Sequence, residues 1–232
     1  MREHRPREEK PLHWVGSAKK DLLGFPEQVM DDVGFALGVV QYGGHPPSAK
    51  PWKGLGPGVL EIVENDGSGT YRAVYTVRFR KAGTCCTLFR RSRLRASGRR
   101  EPTSSSLRRG SRTQCETMRN VMAKKRVEVE TGSGDVFTDL GYADAKERRL
   151  KVCLALEVNQ VLEKRGLPQA QAAKLLGLRQ PHVSDLVRYR LSRFSVERLM
   201  EFLTLLGKDV EIRITQRPAR RSSSSVRVHH VA

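Results

Sequence analysis

With 232 residues and 38% hydrophobic side chains, the chain can bury one or two cores, and no apolar run in it approaches membrane-spanning length. Its formal net charge of +18 is unevenly placed. Residues 1–79 carry ten basic and ten acidic side chains, residues 80–114 eleven basic and one acidic (Glu101), residues 115–215 eighteen and fourteen, and the tail from Gln216 four basic and none acidic. Most of the excess therefore lies in two Arg/Ser-rich stretches, and the global charge says little about either prospective folded part. Cys85, Cys86, Cys115 and Cys153 have no metal-ligand spacing, and an adjacent pair does not easily close an ordinary disulfide. The opening MREHRPREEK is charged, with no apolar segment behind it. A reducing cytoplasm, no membrane contact, no metal and no cofactor are expected.

Residues 1–10 read as disordered, and residues 11–79 as α+β. Ser17 can cap a short helix through Leu23, ended by Gly24 and Pro26, and a second helix from Glu27 to about Tyr42 turns Val29, Met30, Val33, Ala36, Leu37 and Val40 inward. After GGHPPSAKPWKGLGPG come two strand-like runs, Val59 to Glu64 and Thr70 to Phe79, around the turn signal NDGSG. Residues 80–121 form a basic, low-complexity segment with little hydrophobic periodicity, too poor in apolar surface to offset its ordering entropy. A basic RNA-binding tail is one functional reading of it.

Residues 127–215 resume a globular composition. TGSGDVFTDLGYADA reads as a capped, loop-like lead, and a helix follows from about Asp144 to Arg165 with Leu150, Leu154, Val158, Val161 and Leu162 as its apolar stripe. Cys153 lies beside that stripe and reads as a small buried side chain. Two short periodic segments, Gln169 to Leu176 and Gln180 to Val187, are joined at Gly177 in the form of a helix-turn-helix. Ala172, Ala173 and Leu176 share one face of the first, and Val183, Leu186 and Val187 point inward from the second. That leaves Arg179, Gln180, His182, Ser184, Asp185 and Arg188 outward, a short, polar and partly basic set suited to a major groove. Two core helices of an ordinary bundle would be the plain alternative. A last helix is capped by Ser195, packs Leu199, Phe202, Leu203 and Leu206 inward and stops at Gly207. Val210 to Thr215 alternates as a short strand, and residues 216–232 read as a disordered basic tail.

QAQAAKLLGLRQPHVSDL resembles the central motif of the Cro/C1-type (XRE) helix-turn-helix family, and with its flanks, from about Ser133 to Thr215, the segment resembles HigA-type antitoxins. One departure is Pro168, where the family usually has Thr; proline suits a first helical turn but brings no capping oxygen. The resemblance implies an all-α, lambda repressor-like domain that binds double-stranded operator DNA as a homodimer, with the terminal strand pairing across the dimer. On that basis Gln169 is placed at a phosphate, Arg179, Gln180, His182 and Ser184 at base edges, and Arg188, Arg190 and Arg193 along the backbone. Asp185 is expected to hold Arg188 or Arg179 within the protein.

PLHWVGSAKKDLLGFPEQVMDDVGFAL, AKPWKGLGPGVLEIVE and TYRAVYTVRF resemble phage-derived RelE/HigB-like toxins over residues 10–79. That resemblance implies an α+β fold and cleavage of mRNA on the ribosome. Lys50, Lys53, Arg72 and Arg78 are weak candidates for binding phosphate, with solvated surface cations as the plain alternative. The family needs a further strand and a C-terminal helix after Phe79. Read one base out of register, the junction of Cys85 and Cys86 restores leucine, that of Cys86 and Thr87 histidine or tyrosine, and the run from Gly83 through Ser92 permits the toxin family's next strand. A frameshift near codons 79–84 would leave an incomplete, inactive toxin part joined to its antitoxin, whose own start would fall near Met118 or Met122. An active toxin fused to its antitoxin, or an antitoxin that neutralises a separate RelE/HigB-like toxin, are the competing expectations.

Overall fold

The computed structural model describes residues 10–52, 58–78 and 128–212, and the backbone of residues 84–92. In chain order the elements are β1 (Leu12–Val15), α1 (Ala18–Leu23), α2 (Glu27–Gln41), β2 (Ala49–Pro51), β3 (Val59–Asp66), β4 (Gly69–Arg78), β5 (Thr84–Ser92), β6 (Val129–Thr131), α3 (Val136–Asp139), α4 (Ala145–Lys164), α5 (Gln169–Leu176), α6 (Gln180–Val187) and α7 (Val196–Leu205). They fall into two compact units. One takes residues 11–30 and 48–134 and the other residues 31–47 and those from 135 on, so the boundary lies inside α2, between Met30 and Asp31.

The sheet unit has the strand order β2-β3-β4-β5-β1-β6, antiparallel throughout except for the parallel pair β1 and β5. The β3–β4 hairpin turns through Asp66 to Gly69, where Asp66 Oδ1 accepts from the Ser68 amide, a local bond of the type that makes aspartate a turn residue. Ile62, Tyr71, Ala73 and Tyr75 alternate along the hairpin and are buried, as are Leu12 and Trp14 on β1 and Ala18 and Leu22 on α1. Phe25, just after α1, meets the Tyr71 ring at a tilt, with centroids 4.8 Å apart. Registers of Lys50 with Glu61 and of Arg72 with Val63 put Lys50, Glu61 and Arg72 on the opposite face.

Strand β5 corrects the expectation that residues 80–121 lack regular structure. It runs through residues 84–92 and pairs with β4 on one side and β1 on the other. A strand between two others has its backbone donors and acceptors taken up by both neighbours, and TCCTLF is rich in β-formers. The arginines that follow dominated the composition of the window. The rest of that segment lies outside the described residues, as do residues 1–9 and the tail from 213.

In the helical unit, α4 packs against α7, and Val152, Ala155 and Val158 of the one and Leu199 and Phe202 of the other are fully buried. α3 arises inside the lead expected to be a loop. Asp135 caps it, accepting from the Phe137 amide at 3.1 Å and from Thr138 Oγ1 at 2.8 Å. The carboxyl part of α2 belongs to this unit. A Cβ on Gly38 would lie 3.2 Å from both Phe137 Cε2 and Val152 Cγ2, so glycine there is what admits the Phe137 ring. Phe137 also meets Phe35 edge-on at 5.3 Å, and Gln41, 1% exposed, accepts from the Val136 amide at 3.1 Å. The expected C-terminal strand is not formed over 210–212, where Val210 and Ile212 are exposed; residues 213–215 lie outside the described residues.

Candidate nucleic-acid interface

Local sequence positions the two short helices. α5 begins after Pro168 with no side-chain cap and ends at Gly177, whose φ of 62° is left-handed. Leu178 donates to Ala173 O at 2.9 Å across this turn, and only glycine takes that conformation without steric cost. α6 then starts behind Arg179, with Pro181 in its first turn. Val183 and Leu186 are fully buried, Ala172, Ala173 and Leu176 are buried opposite them, and Val187 is half-buried. Asn159 of α4 donates to Leu186 O at 3.0 Å and ties down the carboxyl end of α6.

With one face so fixed, α6 leaves Arg179 and Gln180 exposed at its start and His182, Ser184 and Asp185 half-buried behind them. Gln169 is exposed at the start of α5. The cations after α6 differ from one another. Arg188 is exposed and makes no ion pair among the described residues, Arg190 Nε lies 3.6 Å from Asp32 Oδ2, and Arg193 lies 3.4 Å from Asp185 Oδ2. Asp185 therefore does hold an arginine within the protein, but the partner is Arg193, because the chain doubles back after α6. It does so through Tyr189, buried at φ 58°, with Tyr189 N donating to Leu186 O and Arg190 N to Asp185 O. That turn usually takes glycine, so burial of the tyrosine ring offsets a backbone cost of roughly 1–2 kcal/mol.

Sequence reasoning missed the acid pair on α2. Asp31, buried, accepts from Tyr142 Oη, from Arg148 at 3.0 Å and from Ser192 Oγ at 3.0 Å. Burial works against the charge on Arg148, but its hydrogen bond to Asp144 and the charges of Asp31 and Asp144 outweigh that and hold its pKa above the ordinary value. The available signal was two consecutive aspartates in the middle of an otherwise apolar helix.

In the sheet unit, Arg72 donates to Glu61 at 2.6 Å, and exposed Lys50 lies opposite Glu61 in the register. Lys53 and the side chain of Arg78 lie outside the described residues. Among the described residues no group of His, Cys, Asp and Glu could hold a metal ion, and no helix is long and apolar enough to cross a membrane. Cys153 is half-buried.

Residues 136–215 match the family model of a helix-turn-helix domain, and residues 20–99 match that of a phage derived protein, Gp49-like. The latter match runs across β5. A solved structure described as an XRE family transcriptional regulator is 45% identical, over 38% of this chain and 99% of its own, with a TM-score of 0.37. No curated protein matches the chain. The chain thus carries a helix-turn-helix domain behind a segment that matches a phage-derived family.

Proposed function

We propose that the protein is a sequence-specific DNA-binding regulator of the HigA antitoxin type, which represses its own promoter as a homodimer on paired half-sites. The observation that carries this is the two-sidedness of α6: Val183 and Leu186 have no exposure, while Arg179 and Gln180 stand free at its amino end. Gln180 has the bidentate chemistry for adenine and Arg179 that for guanine, with His182 and Ser184 beside them and Gln169 at a phosphate. In a mobility-shift titration on the DNA upstream of its own gene, Gln180→Ala should weaken the cognate site by about 1–3 kcal/mol and relax its sequence preference. An unchanged preference refutes the assignment.

A second reading concerns the sheet unit as a ribosome-dependent mRNA endoribonuclease of the RelE/HigB type. What favours it is β5, which gives the sheet a further strand, with Lys50 and Arg72 on the sheet face opposite Ile62, Ala73 and Tyr75. We hold the toxin part to be inactive, its frame shifted near codons 79–84. Cleavage of mRNA in a translation extract, lost on Arg72→Ala, would overturn that. DNA sequence of the locus with no single-base shift opening a continuous toxin frame would overturn the frameshift.

A further inference from the structure

The acid pair on α2 reaches the segment that leaves the recognition helix. Ser192 donates to Asp31 at 3.0 Å, Arg190 lies 3.6 Å from Asp32, and both aspartates are 8% exposed. Of the three cations expected along the DNA backbone, Arg193 is taken by Asp185 and Arg190 by Asp32, which leaves Arg188 without an ion pair among the described residues. We propose that Asp32 stands in for a DNA phosphate, holding the Arg190 guanidinium on the protein so that α2 restrains the affinity of the recognition surface for duplex DNA.

A carboxylate and a phosphate oxygen offer a guanidinium the same charge-assisted hydrogen bonds, so they compete for it. The Arg190 side chain is 38% exposed and its contact with Asp32 is long, so a phosphate can reach the guanidinium from solvent, but Asp32 is only 8% exposed, and drawing the cation away from a buried carboxylate carries the cost that makes the restraint. The Asp31–Ser192 hydrogen bond fixes the backbone beside it and keeps Arg190 within reach of Asp32. DNA affinity then depends on the state of a helix that begins in the phage-derived segment. This inference rests on the DNA-binding reading of α6.

The test is a salt titration of the full chain against a labelled duplex of the DNA upstream of its gene. Asp32→Asn should raise affinity by up to about fivefold, the worth of a partly exposed ion pair, and steepen the slope of log K against log[salt] by about 0.9, one added phosphate. The gain should vanish when Arg190 is also Ala, and Asp32→Glu should keep the parent slope. Removal of an exposed acid elsewhere, Glu163→Gln, should leave the slope unchanged. Should Asp32→Asn lose its helical signal, the test runs from the other side: Arg190→Ala in the parent should flatten the slope by less than half as much as Arg188→Ala. No gain with Asp32→Asn, a gain that survives Arg190→Ala, or equal flattening by the two arginine variants overturns the proposal. A parent that binds no duplex sinks the DNA reading as well. A parent that loses sequence preference with Gln180→Ala yet ignores Asp32→Asn sinks only the restraint.

Discussion

Phe137→Ala removes the ring around which the helical unit closes on α2. Phe137 is 1% exposed, in edge-on contact with Phe35 at 5.3 Å and Tyr142 at 6.2 Å, and its Cε2 atom occupies the space a side chain on Gly38 would need. Truncating a buried phenylalanine costs about 3–5 kcal/mol, through lost transfer energy and the cavity left behind. Spread over a urea slope of roughly 2 kcal/mol/M, a loss of about 4 lowers the unfolding midpoint by about 2 M. A second variant sharpens the test. Gly38→Ala gains about 1 kcal/mol of helix propensity, but in the parent its Cβ would meet Phe137 and Val152, each at 3.2 Å. With Phe137 already Ala, one of those contacts is gone, so Gly38→Ala should be more favourable there by roughly 1 kcal/mol. Urea melts of the four proteins followed by ellipticity at 222 nm measure this. A cost below about 1 kcal/mol for Phe137→Ala, or the same effect of Gly38→Ala in both backgrounds, would refute the packing of α2 into the helical unit.

Two further predictions use the surface of that unit. Arg188→Ala should weaken binding to all duplexes alike and flatten the salt slope by about 0.9, because a phosphate contact carries no sequence information; fluorescence anisotropy at several salt concentrations measures it. Ser195→Ala should cost about 1 kcal/mol of stability, since Ser195 Oγ accepts from the Arg198 amide at 3.2 Å at the start of α7. The Glu197 carboxyl is held below its ordinary pKa by its own backbone amide first and then by the Ser195 hydroxyl. A depressed carboxylate contributes stability above its unfolded pKa and loses it as pH falls through the folded value. The gap between Ser195→Ala and the parent should therefore narrow in acid, as thermal melts across the carboxylate range would record.

The helix-turn-helix was legible because its determinants are local. Gly177 stops α5, Pro181 fits the first turn of α6, Ser195 caps α7, and a period of 3.6 separates buried Val183 and Leu186 from exposed Pro181 and Arg188. The hairpin of β3 and β4 was legible for the same reason, through its turn and its alternation. β1, β5 and β6 were not, since each is short or polar and exists by pairing with strands distant in sequence. The fate of the arginines after α6 was equally hidden. Whether Arg190 faces solvent or Asp32 depends on a helix some 150 residues earlier in the chain, and Arg193 finds Asp185 only because Tyr189 takes a left-handed turn that its residue type does not advertise. The exposure of Arg179, Gln180 and Arg188 could be read from sequence, whereas the ion pairs of Arg190 and Arg193 could not.

The most direct test of the DNA-binding account is a nuclease-protection footprint of the full chain on the DNA upstream of its own gene, run beside Gln180→Ala. The account predicts two protected patches about one helical turn, or a multiple of it, apart on one face of the duplex, reduced or shifted by the variant. A protein with intact helical ellipticity that leaves this DNA evenly cut would contradict it.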